Sequence, residues 1–402
     1  MFLNNLEEKI LSGEWGQGYQ YAMELLVTIG ETFDADRLID ITKAHWALSG
    51  QEGDLYFAKK LADGGAQTKV PVTTNPDWDP QLKTQFKVNL TDNELALLRD
   101  TLETCDRLNV IKSFSCTPYL EINHPEYGEH VSFSESSASP FINSVYGALT
   151  NRESSVSALA AGVIGKTPNY GLHLKENRSP TVVVNVDATV NGDFDFGILG
   201  WHLGKMIEPN SVPFLRNIRS TPSAEGLRDF GALLNTTNAV AMYHISGITP
   251  EAKEFEKVTQ NGIEKIEIKE RDLSETKREL SNYHGEINSV FLGCPHSTIN
   301  EINLVYKLLD GRKVKDDVKF LVFTSNTNFK ILQANGMITK LNSLGVSVLK
   351  DSCVDEPVFK FAEGKMGATN SAKAAYYRAR RNQKFTILDI PKLVEAGVRG
   401  YV

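Results

Sequence analysis

Three of the four cysteines in this 402-residue sequence share one kind of position. Cys116 closes NVIKSFSC, Cys294 closes INSVFLGC and Cys353 closes GVSVLKDSC, so each follows an apolar, strand-like run and precedes a turn. In open α/β sheets ligands bind at the carboxyl ends of strands, where loops converge on a rigid support. No CxxC pair is present, so only the fold can bring the three sulfurs together. Free cysteine is among the most buried residue types and commonly acts as a small hydrophobe. That reading suits Cys105, inside the helical pattern LRDTLETCDRL. The other three have polar company in Ser115 and Thr117, His296 and Ser297, and Asp351 and Ser352. On position alone the buried-thiol reading and a shared metal site stand level. Three thiolates can hold three corners of an iron–sulfur cubane or part of a smaller iron centre, and an iron without a protein ligand takes a substrate oxygen. Such an iron polarises a hydroxyl leaving group while a base removes a proton alpha to a carboxylate, which is β-elimination of water.

The elements around the cysteines read as α/β. Helical periodicity in LEEKIL and YAMELLVTIGETF makes residues 1–65 a mainly helical part. After Val70 short apolar runs alternate with polar elbows and helical stretches, the signature of parallel layers. AVAMYHIS, SVFLGC, KFLVFTS and VSVLKDSC read as buried strands, with helices over Ile299 to Leu309 and Asn328 to Leu344. The expected divisions are 66–235, an α/β region with the first cysteine; 236–355, an open-sheet unit with Cys294 and Cys353; and 356–402, a terminal loop and helix.

Composition narrows the partners. A chain with 41% apolar residues builds a large core. The net charge of −7, with no long basic run, argues against nucleic acid. No apolar stretch reaches the ~20 residues that span a bilayer, and MFLNNLEEKI has no signal-peptide pattern, so a cytoplasmic protein without membrane contact is expected.

A series of motifs in fixed order adds a resemblance: ADRLIDITKAHWALSG, KVPVTTN, SFSCTPY, ESSASPFINSVYGALTNRESSVSALAAGVIGKTPNYGLHLKENR, YHISGITPEA, GCPHST, DSC and ATNSAKAAYY. Together they resemble the large subunit of aconitase X, a branch of the aconitase superfamily, through most of the chain. The resemblance implies aconitase-like layered α/β/α units with mostly parallel sheets. It implies a hydro-lyase whose metal ligands are Cys116, Cys294 and Cys353. The cofactor expected is a 4Fe–4S cluster, with a 2Fe–2S centre or a single iron left open. It also implies a small swivelling subunit carrying the serine base that removes the alpha proton, because no such segment is evident before Val402. The substrate so implied is (R)-mevalonate 5-phosphate, giving trans-anhydromevalonate 5-phosphate. The alternative within the family is cis-3-hydroxyproline or another small hydroxy acid.

Roles follow for individual residues. His45, in KAHWA, matches the family's active-site histidine and is expected to handle a proton or hydroxide; without the resemblance it reads as a core or surface histidine. His296 is expected to donate to a cluster sulfur or the leaving group, and Glu135 to orient a histidine or move a proton. His173 is a weaker candidate. Glu135, Ser136, Asn143, Ser144, Thr150, Asn151 and Arg152 form a dense polar series. Thr150 and Asn151 suit helix capping as well as substrate contact. Arg152 offers a fork for a carboxylate, against a plain ion pair. The resemblance turns Thr73, Thr74 and Asn75 from a simple turn into substrate contacts. Thr369, Asn370 and Ser371 open a helix whose N–H groups, with Lys373, suit an anion.

Departures from the family pattern are PDWDP at 76–80, Ala372, and the arginines of YYRARR. A solvated helix face is the plain reading of Arg378, Arg380 and Arg381. Two further readings compete: a non-catalytic metal-binding or redox-sensing centre, and a Cys294–His296 nucleophile pair.

Overall fold

Three parallel sheets follow one another along the chain, described by a computed structural model over residues 1–48, 52–77, 82, 91–256, 263–356 and 358–402. The first region starts with strand β1 (Leu38–Asp40) and β2 (Ala44–Trp46). β2 is the middle of a parallel sheet between β3 (Val72–Thr74) and β4 (Ser132–Phe133). β5 (Lys166–Pro168) returns antiparallel to β1. All three residues of β2 and of β3 are buried, as strands covered on both faces must be. The helices expected before residue 65 are present as Asn5–Leu11, Gln17–Thr32 and Glu52–Asp63.

The second region holds β6 (Val182–Asp187), β7 (Pro213–Arg216), β8 (His244–Ile245) and β9 (Glu264–Lys269) in the order β8-β7-β6-β9, all parallel. Helices Gly192–Gly204 and Ala224–Asn238 pack so closely that a Cβ at Gly200 would lie 2.4 Å from the Phe230 carbonyl oxygen. The third region is a five-stranded parallel sheet of β10 (Ser289–Leu292), β11 (Lys319–Phe323), β12 (Val346–Leu349), β13 (Met366–Thr369) and β14 (Lys384–Ile387). Its order, β12-β11-β10-β13-β14, reverses between β10 and β13. That gap is the topological switch point where open sheets bind ligands.

Strand pairing crosses two of the expected divisions. AVAMYHIS contributes only His244–Ile245, and these pair with β7 in the second sheet. β13 and β14, beyond residue 355, pair with β10 and each other in the third. Local apolar runs mark strands but do not say which sheet receives them. The helix expected over 328–344 is two, Asn326–Ala334 and Met337–Ser343, because Gly336 sits at φ +77° between them. The helix Ile299–Leu309 lies where its periodicity put it. Among the described residues no helix is long and apolar enough to cross a membrane.

Candidate active site

The carboxyl ends of the first and third sheets face one cleft of about 790 Å³. Cys116, Cys294 and Cys353 all line it. Cys116 lies after the segment that bridges to β3 at Thr73 and Ile111. Cys294 lies two residues past β10, at the switch point, and Cys353 four past β12. Gly293 lets the chain turn there: its φ is +113° and a Cβ would meet the Phe323 carbonyl oxygen at 2.2 Å.

The three cysteines are half-buried on the cleft wall. Burial pushes Cys116 and Cys294 up to about 12, and Cys353 is raised further, by burial first and then by Glu356. Charge on each thiol is felt by another of the three, Cys116 by Cys294, Cys294 by Cys353 and Cys353 by Cys116. Backbone N–H groups already point at two sulfurs: His296 donates to Cys116 Sγ at 3.2 Å and Asp355 to Cys353 Sγ at 3.4 Å. Such N–H···S bonds tune iron–sulfur centres. His296 Nε2 donates to the Ser352 carbonyl at 2.9 Å, while its buried Nδ1 has no partner. An orphaned lone pair beside three converging thiols fits a site built for an added group. Among the described residues no set of three or more His, Cys, Asp or Glu is drawn close enough to hold a metal ion. The donor set is three thiols on one cleft. It does not make a Cys294–His296 nucleophile pair, since His296 is turned to Ser352 and burial keeps the Cys294 thiol protonated.

Across from the thiols runs a hydrogen-bonded string whose proton positions can be deduced. Lys373 Nζ donates to Glu135 Oε1 and to Ser136 Oγ, each at 2.9 Å. Burial alone raises the Glu135 carboxyl, but the Lys373 ammonium, Asn75 and the Ser137 amide outweigh it and hold the pKa at about 2. The ionised carboxylate only accepts, so the Asn75 amide donates to Oε2 at 2.8 Å and its oxygen faces His45 Nε2, also at 2.8 Å. Nε2 must then carry the hydrogen. Burial lowers His45 to about 4, so the ring is neutral and its bare Nδ1 accepts from Thr73 Oγ1 at 2.8 Å. Asn123 donates to the same hydroxyl oxygen at 2.8 Å. Both His45 nitrogens are thus spent within the protein, Nε2 on Asn75 and Nδ1 on Thr73, while Asn75, Glu135, Ser136 and Lys373 present themselves to the cleft. His296 is likewise held neutral by burial, at about 4.

Other expected site residues lie elsewhere. Thr74 is buried and receives the Phe114 amide. Asn143 bonds both backbone groups of Thr150 and the Ala241 carbonyl; Ser144 accepts the Tyr243 amide. Thr150 donates to the Asn151 carbonyl, and Asn151 holds the Leu172 amide and the Tyr170 carbonyl. Neither caps the following helix, whose cap is Ser154. Arg152 is exposed and makes no ion pair among the described residues. His173 faces His130. Ser371 caps the helix Ala372–Ala379 and donates to the Cys294 carbonyl, while Asn370 lines a separate small cavity behind Cys294. PDWDP falls partly on 78–80, outside the described residues, but Pro76 and Asp77 line the cleft.

Several residues were not singled out in the sequence for these roles. Arg178 is buried and bidentate on Glu251, and it also grips Asn143 and the Leu172 and Ala148 carbonyls. Arg228, on the helix Ala224–Asn238, bonds Glu301 twice and the His296 carbonyl at 3.1 Å, bracing the cysteine-bearing loop from the second region. Arg378 is fully buried rather than solvated: it holds Gln383 and the Glu356 and Phe359 carbonyls. Tyr377, Arg380 and Arg381 line the cleft. The spacing Lys373, Tyr377, Arg380 is a helical stripe and was readable; the burial of the other arginines was not.

Family models described as the aconitase X first, second and third domains match residues 1–176, 180–278 and 287–399. The phosphomevalonate dehydratase large subunit of Thermococcus kodakarensis is 34% identical over 98% of this chain and 99% of its own. The cis-3-hydroxy-L-proline dehydratase of Hypocrea jecorina is 30% identical over 99% of this chain but only 69% of its own length. The crystal structure of aconitase X, holo-form, from Thermococcus kodakaraensis superposes with a TM-score of 0.89 at 33% identity, covering 99% of this chain and 100% of that one.

Proposed function

Because this chain belongs to the aconitase X family, we propose that it is the large subunit of an iron- or iron–sulfur-dependent hydro-lyase converting (R)-mevalonate 5-phosphate to trans-anhydromevalonate 5-phosphate and water. The observation that carries the reading is the facing of three half-buried thiols and the Lys373–Glu135 pair across one cleft. Cys116, Cys294 and Cys353 would hold the centre. When bound, an iron with a position free of protein ligands supplies Lewis acidity toward a substrate oxygen.

The chain's own groups then bind and orient. Lys373 carries a fixed ammonium and Ser136 a hydroxyl, both suited to a substrate carboxylate. Glu135 holds Lys373 in place and, through Asn75, is backed by neutral His45, so His45 acts as a positioning residue. His296 keeps a neutral, unpartnered Nδ1, and its backbone N–H holds Cys116 Sγ. A separate small subunit supplies the base for the alpha proton. The relatives support this division: the match to the Thermococcus large subunit is end to end, while nearly a third of the Hypocrea enzyme lies beyond this chain. Elimination in a cytoplasmic, heteromeric enzyme of isoprenoid precursor synthesis is the resulting picture.

The Hypocrea relative also supports a second substrate, cis-3-hydroxyproline. Asp77 on the cleft wall suits its ammonium group.

The test is iron and sulfide content, after anaerobic co-expression with the small partner, followed by dehydration assays on both acids. The expected result is bound iron, lost on Cys116→Ser, Cys294→Ser or Cys353→Ser, with water eliminated from mevalonate 5-phosphate. Turnover of cis-3-hydroxyproline instead selects the second substrate. Full turnover by the large subunit alone would sink the two-subunit reading, and absence of iron under every condition would return the cysteines to buried thiols.

A further inference from the structure

The three arginines that depart from the family pattern all reach the loop that carries Cys353. Arg378 turns into the core and bonds the Glu356 carbonyl at 2.9 Å. Arg380 and Arg381 turn the other way, to the cleft, and share one carboxylate: Arg380 Nη2 lies 2.9 Å from Asp355 Oδ2 and Arg381 Nε 3.1 Å from Asp355 Oδ1. One negative charge is thus set against two guanidinium groups. Arg380 Nη1 and both Nη groups of Arg381 have no acceptor among the described residues. Arg380 is also stacked over the Tyr377 ring, 4.8 Å from its centroid, and Lys373 Nζ lies 5.9 Å from the same centroid. Lys373, Tyr377 and Arg380 therefore form one wall of the cleft, running outward from the buried Lys373 to the half-exposed arginine pair, whose side chains are 60% and 33% exposed.

We propose that Arg380 and Arg381 give this chain a grip, absent from the family pattern, on the phosphate of a phosphorylated hydroxy acid whose carboxylate end lies inward at Lys373. This rests on the hydro-lyase reading given above. Guanidinium forks pair with phosphate oxygens in the same geometry as with carboxylates. Asp355 holds both guanidinium groups in place before substrate arrives, so little side-chain entropy is lost on binding. The other acidic groups on the cleft are Asp77, Glu94 and Glu356, and burial raises the Glu356 carboxyl well above the usual carboxylate range, which keeps it protonated. Glu94 is turned back to its own helix, where it accepts from the Thr91 amide and hydroxyl. The two guanidiniums hydrogen-bond no carboxylate other than Asp355 among the described residues.

The other role open to this pair is purely to brace the Cys353 loop, since Asp355 N also donates to Cys353 Sγ. Kinetics separates the two. In the assembled, iron-loaded enzyme, kcat/KM is measured for mevalonate 5-phosphate and for unphosphorylated mevalonate, in wild type and in Arg380→Ala, Arg381→Ala and Arg381→Lys. The expected result is a fall of about tenfold or more for the phosphorylated acid, carried by KM, for each alanine variant. The same variants leave iron content and kcat/KM for mevalonate nearly unchanged, and Arg381→Lys falls between. Equal losses on both acids, or loss of iron, would assign the arginines to bracing the loop and overturn the proposal. A wild type that does not prefer the phosphorylated acid overturns the substrate reading itself, and the clamp with it.

Discussion

Two buried polar clusters in this protein draw on the same stretch of sequence and do different work. One is the cleft string Lys373–Glu135–Asn75–His45, which ends on open space. The other is centred on Arg178, whose guanidinium binds Glu251, Asn143 and backbone carbonyls with no opening to the cleft. Glu135 belongs to the first and Asn143 to the second, eight positions further on. In the first cluster an ion pair leaves Ser136, Asn75 and Lys373 facing a cavity; in the second the Arg178 guanidinium spends its groups on protein. Satisfaction within the protein marks a scaffold, and polar groups arranged around a space mark a site.

The comparison breaks most sharply at Glu135. Glu135→Gln removes the anion that holds Lys373, and turnover should fall ~100-fold or more while iron content stays. An unchanged kcat would show that the string is scaffold too. Arg178→Ala should act the other way, costing about 3–5 kcal/mol of stability by leaving Glu251 buried without its partner, with kcat per folded molecule kept. Denaturant unfolding with iron-normalised turnover measures both, and a kcat loss without a stability loss would place Arg178 in the functional machinery.

Acid titration sharpens the contrast further. The folded pKa of Glu135, about 2, lies below the ordinary 4.5, so its contribution is full above about pH 4.5 and lost as pH falls toward 2. Lys373 is raised well above 10.5, so its contribution is present below 10.5 and lost only on the alkaline side. Glu135→Gln should therefore flatten the acid limb of the stability profile; an acid limb identical to wild type would contradict the ion pair. The smallest effect expected is at exposed Arg152, where alanine should change stability by less than ~0.5 kcal/mol in a thermal melt. A loss of several kcal/mol there would place it in the Arg178 cluster.

The legibility of the site follows the same division. Apolar runs closed by cysteine and polar residues marked Cys116, Cys294 and Cys353 as strand-end groups; Cys294 and Cys353 do follow strands, Cys116 follows only an isolated bridge at Ile111, and all three line one cleft. The α/β class and the helix Ile299–Leu309 were equally local facts, because periodicity and caps are written in neighbouring residues. The polar series after Glu135 was misleading for a physical reason. The short helix Ala138–Phe141 and the π-helical turn Ile142–Tyr146 carry the chain away from the cleft, and spacing alone does not show that turn.

By itself the sequence determined the element types and the positions of Cys294 and Cys353 past strands β10 and β12, since each depends on a few adjacent side chains. Only the tertiary structure decided the rest. It placed β8 in the second sheet, set Cys294 at the switch point between β10 and β13, turned Arg378 inward and its neighbours outward, and fixed the protonation of His45 through Glu135. Those outcomes depend on which distant groups share a low-dielectric interior, and no local pattern encodes that.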